Sequence, residues 1–137
     1  MARLMSVTLT VPAVEARIKT VSRRANWWED KHGRRLLHPG DHLDLCKKVM
    51  GRKPGEPLER LAHVKVTDVR RERLSLITDA DVYREGFTSY SLTGYLNGTP
   101  QQVAPGALAT AFCRFYVDHM GGSIHQTVTR IEWEYAE

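Results

Sequence analysis

Six consecutive residues, Lys19-Thr20-Val21-Ser22-Arg23-Arg24, bring together an amine, two hydroxyls and two guanidiniums. If this stretch is extended, Thr20, Ser22 and Arg24 share a face; if it is helical, Lys19 and Ser22 do, and either geometry lets a lysine approach a serine. A desolvated lysine beside other cations gives up its proton more readily and can activate a hydroxyl as a nucleophile. The plain alternative is a solvated basic turn. A second group of acids, Asp79, Asp81 and Glu85, follows later in the chain. Asp79 and Asp81 fall where a helix would begin and compensate its dipole there, whereas Glu85 falls at the other end, where a carboxylate is locally unfavourable. Glu85 is therefore the candidate general acid or base, if the fold brings it to Lys19.

Residues 17–35 hold seven Lys and Arg against two Asp and Glu, with Trp27-Trp28 in the middle. Guanidiniums pair with phosphates and indoles stack on bases, so Arg23, Arg24, Trp27, Trp28, Lys31, Arg34 and Arg35 have the composition of a site for single-stranded RNA or a nucleoside-like ligand. The competing reading is one core tryptophan beside a solvated basic face. The chain's net charge of +4 is unevenly placed: residues 1–60 carry 13 basic and 7 acidic side chains, residues 61–137 carry 7 and 9. His38, His42 and Cys46 stand at helical spacing, but Pro39-Gly40 breaks a helix there, so neither a metal site nor a cofactor is expected. Cys46 and Cys113, far apart and without a CxxC pairing, read as reduced, partly buried thiols.

The elements that must position these groups are read from periodicity. Strict alternation over Ser6–Val11 predicts a first strand, and Pro12 with Val14, Ile18 and Val21 predicts a helix over about 13–20. Residues 22–40 read as a long functional loop or a ragged strand pair. His42–Cys46 and 61–69 read as strands, with Leu74–Ile77 a further short apolar piece and a loop over Met50–Pro57. Thr78 caps a short helix that Gly86 stops. Ala107–Met120 is an amphipathic helix ended by Gly121-Gly122, and 127–135 alternate as the last strand. Strands at both ends, with short helices between, predict an α+β fold built on a small, mixed, largely antiparallel, barrel-like sheet.

At 137 residues, 42% of them hydrophobic, the sequence is expected to form a single domain over 1–137. No run approaches the roughly 18 apolar residues of a membrane span, and the first residues lack a signal-peptide core, so a cytoplasmic protein without membrane partners is expected.

Four motifs in order, Arg17-Ile18-Lys19-Thr20-Val21-Ser22-Arg23-Arg24, Pro39-Gly40-Asp41-His42-Leu43-Asp44-Leu45, Asp79-Ala80-Asp81-Val82-Tyr83-Arg84-Glu85-Gly86-Phe87 and Val128-Thr129-Arg130-Ile131-Glu132-Trp133-Glu134-Tyr135, resemble the ASCH domain family over about 6–135. The pattern resembles versions from phages and actinobacterial hosts, which for a phage chain places it in the host cytoplasm. The resemblance implies a PUA-like fold, a small β-barrel with short helices at its openings and a basic cleft beside it. It implies either RNA binding or removal of the acyl group from N4-acetylcytidine by a lysine, a hydroxyl residue and a glutamate. By motif position these are Lys19, Ser22 and Glu85, with Arg24 in the place of the motif's arginine. The nucleophile position holds serine where the family's enzymes have threonine, so the hydroxyl is kept and the rotamer-restricting methyl is lost. A third expectation is a protein-interaction module with a vestigial site, marked by exposed apolar residues around Phe112, Phe115 or 90–95.

Overall fold

The computed structural model describes residues 2–136. One five-stranded sheet runs through it, composed of β1 (Arg3–Ser6), β2 (Val21–Arg24), β3 (His42–Cys46), β4 (Arg60–Arg73) and β5 (Thr127–Tyr135) in the order β1-β3-β4-β5-β2. Only β1 and β3 are parallel; the other pairs are antiparallel. The sheet is therefore mixed and largely antiparallel, and it curls into a half-barrel. A register shift between Val66 and Asp68 bends the long β4, as a bulge does. The three helices are short α1 (Val11–Glu15) and α2 (Asp79–Arg84) and the longer α3 (Ala107–Met120).

Apolar alternation fills the inside of the curl with Met5, Leu43, Leu45, Val64, Val66, Ile131 and Trp133, closed by Val14 of α1. A second cluster lies under α3, where Leu108, Phe112, Phe115 and Tyr116 at helical spacing meet Val82, Phe87 and Val128. Phe87 packs against Phe112 and Phe115 at ring separations of 5.4 and 4.9 Å, within the range of favourable aromatic pairs. Thr78 caps α2 as its sequence position predicts, its hydroxyl accepting from the Asp81 backbone N–H at 3.2 Å.

The first twenty residues depart from the expected pattern. The first strand is Arg3–Ser6, not Ser6–Val11, and Thr8–Thr10 form a turn of 3-10 helix leading into α1. Thr8 leaves the ladder because its hydroxyl donates to the Lys47 carbonyl at 2.6 Å, and Thr10 N–H closes on Val7 O at 2.9 Å. Hydroxyl residues offer such local alternatives to strand pairing. Helix α1 stops at Glu15, short of the predicted 13–20, because Arg17 turns left-handed at φ 59°. Ile18 is consequently exposed, and Val21 is buried in β2 instead of on a helical stripe. Residues 22–40 are a strand followed by irregular chain: β2 takes the first part, and beyond it a lone bridge joins Glu29 and Arg35.

Candidate functional site

The turn at Arg17 delivers Lys19 to the edge of the sheet. Both Ile18 and Lys19 donate their backbone N–H groups to Ala13 O, and the Lys19 carbonyl accepts from Trp133 Nε1 at 3.1 Å and Tyr135 Oη at 2.5 Å. The last strand thus fixes the backbone that carries the lysine. Its side chain is buried; Nζ donates to the Glu85 carbonyl at 2.6 Å and lies 3.5 Å from Glu85 Oε1. Burial is the main cause that lowers the Lys19 pKa to about 8; Glu85 opposes it, and Arg24 and Arg23 add to it.

Ser22 sits in β2 opposite Ile131 and is also buried. Its Oγ accepts from Arg24 Nε at 3.0 Å, and Arg24 Nη2 donates to Ser6 O at 2.6 Å. Glu85, the C-cap of α2, reaches the same place because Gly86, at φ 98°, turns the chain at once. A Cβ at Gly86 would lie 2.9 Å from Ala13 Cβ, so only glycine lets α2 end this close to α1. Lys19, Ser22, Arg24 and Glu85 all line one cavity of about 200 Å³, walled by Val7, Leu9, Phe87, Phe112, Phe115, Tyr116 and Met120. A desolvated amine, a serine held by a guanidinium and a carboxylate in one apolar-walled space are a set suited to acyl transfer.

No known family model matches the sequence, and no curated protein matches it either. Solved structures do. An Enterococcus faecalis protein of family DUF984 superposes with a TM-score of 0.63 at 11% identity, over 99% of this chain and 80% of its own. The ASCH domain of Lactobacillus crispatus superposes with a TM-score of 0.52 at 12% identity, over 93% of this chain and 70% of its own. The fold is that of an ASCH domain.

Within this ASCH fold, the residues that the motifs single out divide among three places. Lys19, Ser22, Arg24 and Glu85 meet in the cavity. Arg23 also lines the cavity, and its guanidinium is held by protein carboxylates: it bonds Glu72 at 3.1 Å, Asp81 at 2.6 Å and Glu85 at 3.0 Å. Its carboxylate partners hold its pKa up against the opposing effect of burial. Trp27 and Trp28 are half-buried against the barrel core. Arg35 stacks 3.6 Å from the Trp28 ring centre and Arg71 lies 5.7 Å from it. Lys31 and Arg34 are exposed nearby, and none of Trp27, Trp28, Lys31, Arg34 and Arg35 lines the cavity. The single basic cleft expected from sequence is therefore two separate surfaces.

Two acids have partners that dipole compensation does not describe. Asp79 caps α3, accepting from the backbone N–H groups of Gly106 at 2.7 Å and Ala109 at 2.9 Å. Asp81 joins Arg23 to Arg130, whose Nε and Nη2 donate to it at 2.9 and 3.2 Å. These arginines hold the Asp81 carboxyl far below the usual range despite its burial. The arginine-carboxylate lattice was missed because the spacing of Arg130 shows no partner until β5 lies beside α2. Tyr116 lies on the apolar face of α3, and its ring borders the cavity.

His42 stacks on His63, which bonds Asp44 at 2.6 Å on the outer face of the sheet. Cys46 and Cys113 are both buried and free. Among the described residues no group of three or more His, Cys, Asp or Glu is arranged to hold a metal ion, and no helix is long and apolar enough to cross a membrane. Phe112 and Phe115, whose exposure would have marked an interaction surface, are buried, while Tyr90 is exposed.

Proposed function

We propose that this ASCH-fold chain is an amidohydrolase that removes a short acyl group from the exocyclic amine of a nucleobase or nucleoside. One observation carries the reading: Lys19, Ser22 and Glu85 converge in the same walled cavity, Lys19 with its pKa lowered to about 8. At neutral pH roughly a tenth of such lysines are unprotonated, enough to serve as a base. The cavity, about 200 Å³, is smaller than the ~300–1,000 Å³ of drug-sized sites and suits one base with a short substituent.

In this reading Ser22 Oγ passes its proton to Lys19 Nζ and attacks the acyl carbon. Arg24, already bonded to Oγ at 3.0 Å, stands beside the oxyanion that forms. The carbon–nitrogen bond then breaks, and the departing amine takes a proton relayed from Lys19 through Glu85, which lies 3.5 Å from Nζ. Water hydrolyses the acyl-serine, releases the carboxylic acid and restores Ser22. A panel of N4-acylcytidines tests turnover, and p-nitrophenyl acetate tests the nucleophile by a burst of nitrophenol. Ser22→Ala and Lys19→Ala, each checked for intact folding, are expected to abolish both signals. Activity that survives both substitutions overturns the assignment.

A second reading rests on a different surface. Arg35 and Arg71 over Trp28, beside exposed Lys31, form a basic aromatic patch of the kind that holds RNA phosphates. Filter binding of short single-stranded RNAs is expected to weaken steeply with salt; binding without salt dependence, or none at low salt, removes this reading.

A further inference from the structure

Around the cavity every cation but one has a carboxylate partner. Lys19 lies against Glu85, and Arg23 is held by Glu72, Asp81 and Glu85. Arg24 makes no ion pair among the described residues; its hydrogen bonds go to two neutral oxygens, Ser22 Oγ and Ser6 O. A guanidinium has five N–H donors, so three remain. Burial lowers the Arg24 pKa, and the charges of Glu85 and Tyr116 raise it without cancelling that effect.

Tyr116 borders the same cavity from α3, 4% exposed, and among the described residues its hydroxyl has no hydrogen-bond partner. The two groups are near enough that each senses the other's charge. Neither group is sealed off as a buried orphan, so both keep donors open to the cavity that they line. One anionic oxygen entering between them can accept from both. The rest of the wall is mixed: Phe87, Phe112 and Phe115 offer ring faces and edges to a flat body, beside the polar Ser6, Thr8 and Thr10 and the Lys19–Glu85 pair.

We propose that Arg24 and Tyr116 form an anion receptor, and that the cavity takes a small planar molecule carrying a carboxylate. The inference deepens the hydrolase reading, in which the acid released from acyl-Ser22 arises at this spot, but binding and chemistry can be tested apart. Benzoate, its neutral counterpart benzamide, and phenyl phosphate are titrated against the protein by isothermal calorimetry. Benzoate is expected to bind about tenfold more tightly than benzamide, because its bond to the guanidinium is charge-assisted. That preference is expected to vanish in Arg24→Gln, to persist in part in Arg24→Lys, and to fall roughly threefold in Tyr116→Phe. Should Arg24→Gln fail to fold, the Arg24→Lys and Tyr116→Phe ratios decide. Equal affinity for benzoate and benzamide, a preference unchanged by these substitutions, or tighter binding of phenyl phosphate each overturns the proposal. Loss of benzoate binding with the nitrophenol burst intact removes the receptor alone; benzoate binding without a burst removes the hydrolase alone.

Discussion

A buried lysine titrates first by its loss of water and then by its company, here one carboxylate and two guanidiniums. With the Lys19 pKa lowered to about 8, hydrolysis that needs its neutral amine is expected to rise with pH to a plateau above that value. A pH–rate profile, or an NMR titration of the amine, checks this; a midpoint near the ordinary lysine value of 10.5 would deny the lysine its role as base. Stability carries the same signature. Between about pH 8 and 10.5 the unfolded chain holds a proton that the folded one has released, so this group makes stability rise with pH across that window and penalises the fold fully below it. Denaturant titrations at pH 7.5 and 10 are expected to show a rise that Lys19→Met lacks. Lys19, Ser22 and Glu85 were legible from residue type and motif spacing. That Arg24 makes no ion pair and the Tyr116 hydroxyl no hydrogen bond among the described residues was not, because lack of a partner is a property of three-dimensional surroundings.

Helix α2 is only six residues long, so contacts with other elements, not its own propensity, must hold it. Asp81 ties it to β2 and β5 through Arg23 and Arg130, and Asp79 ties it to the start of α3. Asp81→Asn, which takes one carboxylate from Arg23 and Arg130 while Glu72, Glu85 and Glu132 stay in place, is expected to cost about 2 kcal/mol in chemical denaturation. Asp79→Ala is expected to cost about 1–2 kcal/mol and to speed amide exchange in the first turn of α3. Gly86→Ala sets a side chain against Ala13 at a positive φ, so it is expected to displace Glu85 and reduce turnover more than stability alone explains. Where one periodicity had no rival, as in β3, β5 and α3, sequence and structure agree. Over Ser6–Val11 the alternation suited a strand and over 13–20 a helix, but hydroxyl bonds to Lys47 and Val7 and the left-handed Arg17 decided otherwise. Those are tertiary and turn effects that a periodic pattern does not encode.

At the scale of the molecule, the basic first half and the acidic second half meet. Arg23 lies on Glu72, Asp81 and Glu85, while Arg35 and Lys31 stay at the surface around Trp28. If that surface holds RNA, Arg35→Ala is expected to reduce the salt slope of binding by about one and to leave the nitrophenol burst untouched. The order of the strands adds a last consequence. The curled sheet ends in β1 on one side and β2 on the other, and Arg24 of β2 bonds the carbonyl of Ser6 at the end of β1. One guanidinium therefore spans the gap between the sheet's two free margins while presenting its other donors to the cavity. Occupancy of the cavity and the breathing of that seam are then thermodynamically linked: a bound carboxylate is expected to slow hydrogen exchange along β1, of which only Ser6 lines the cavity.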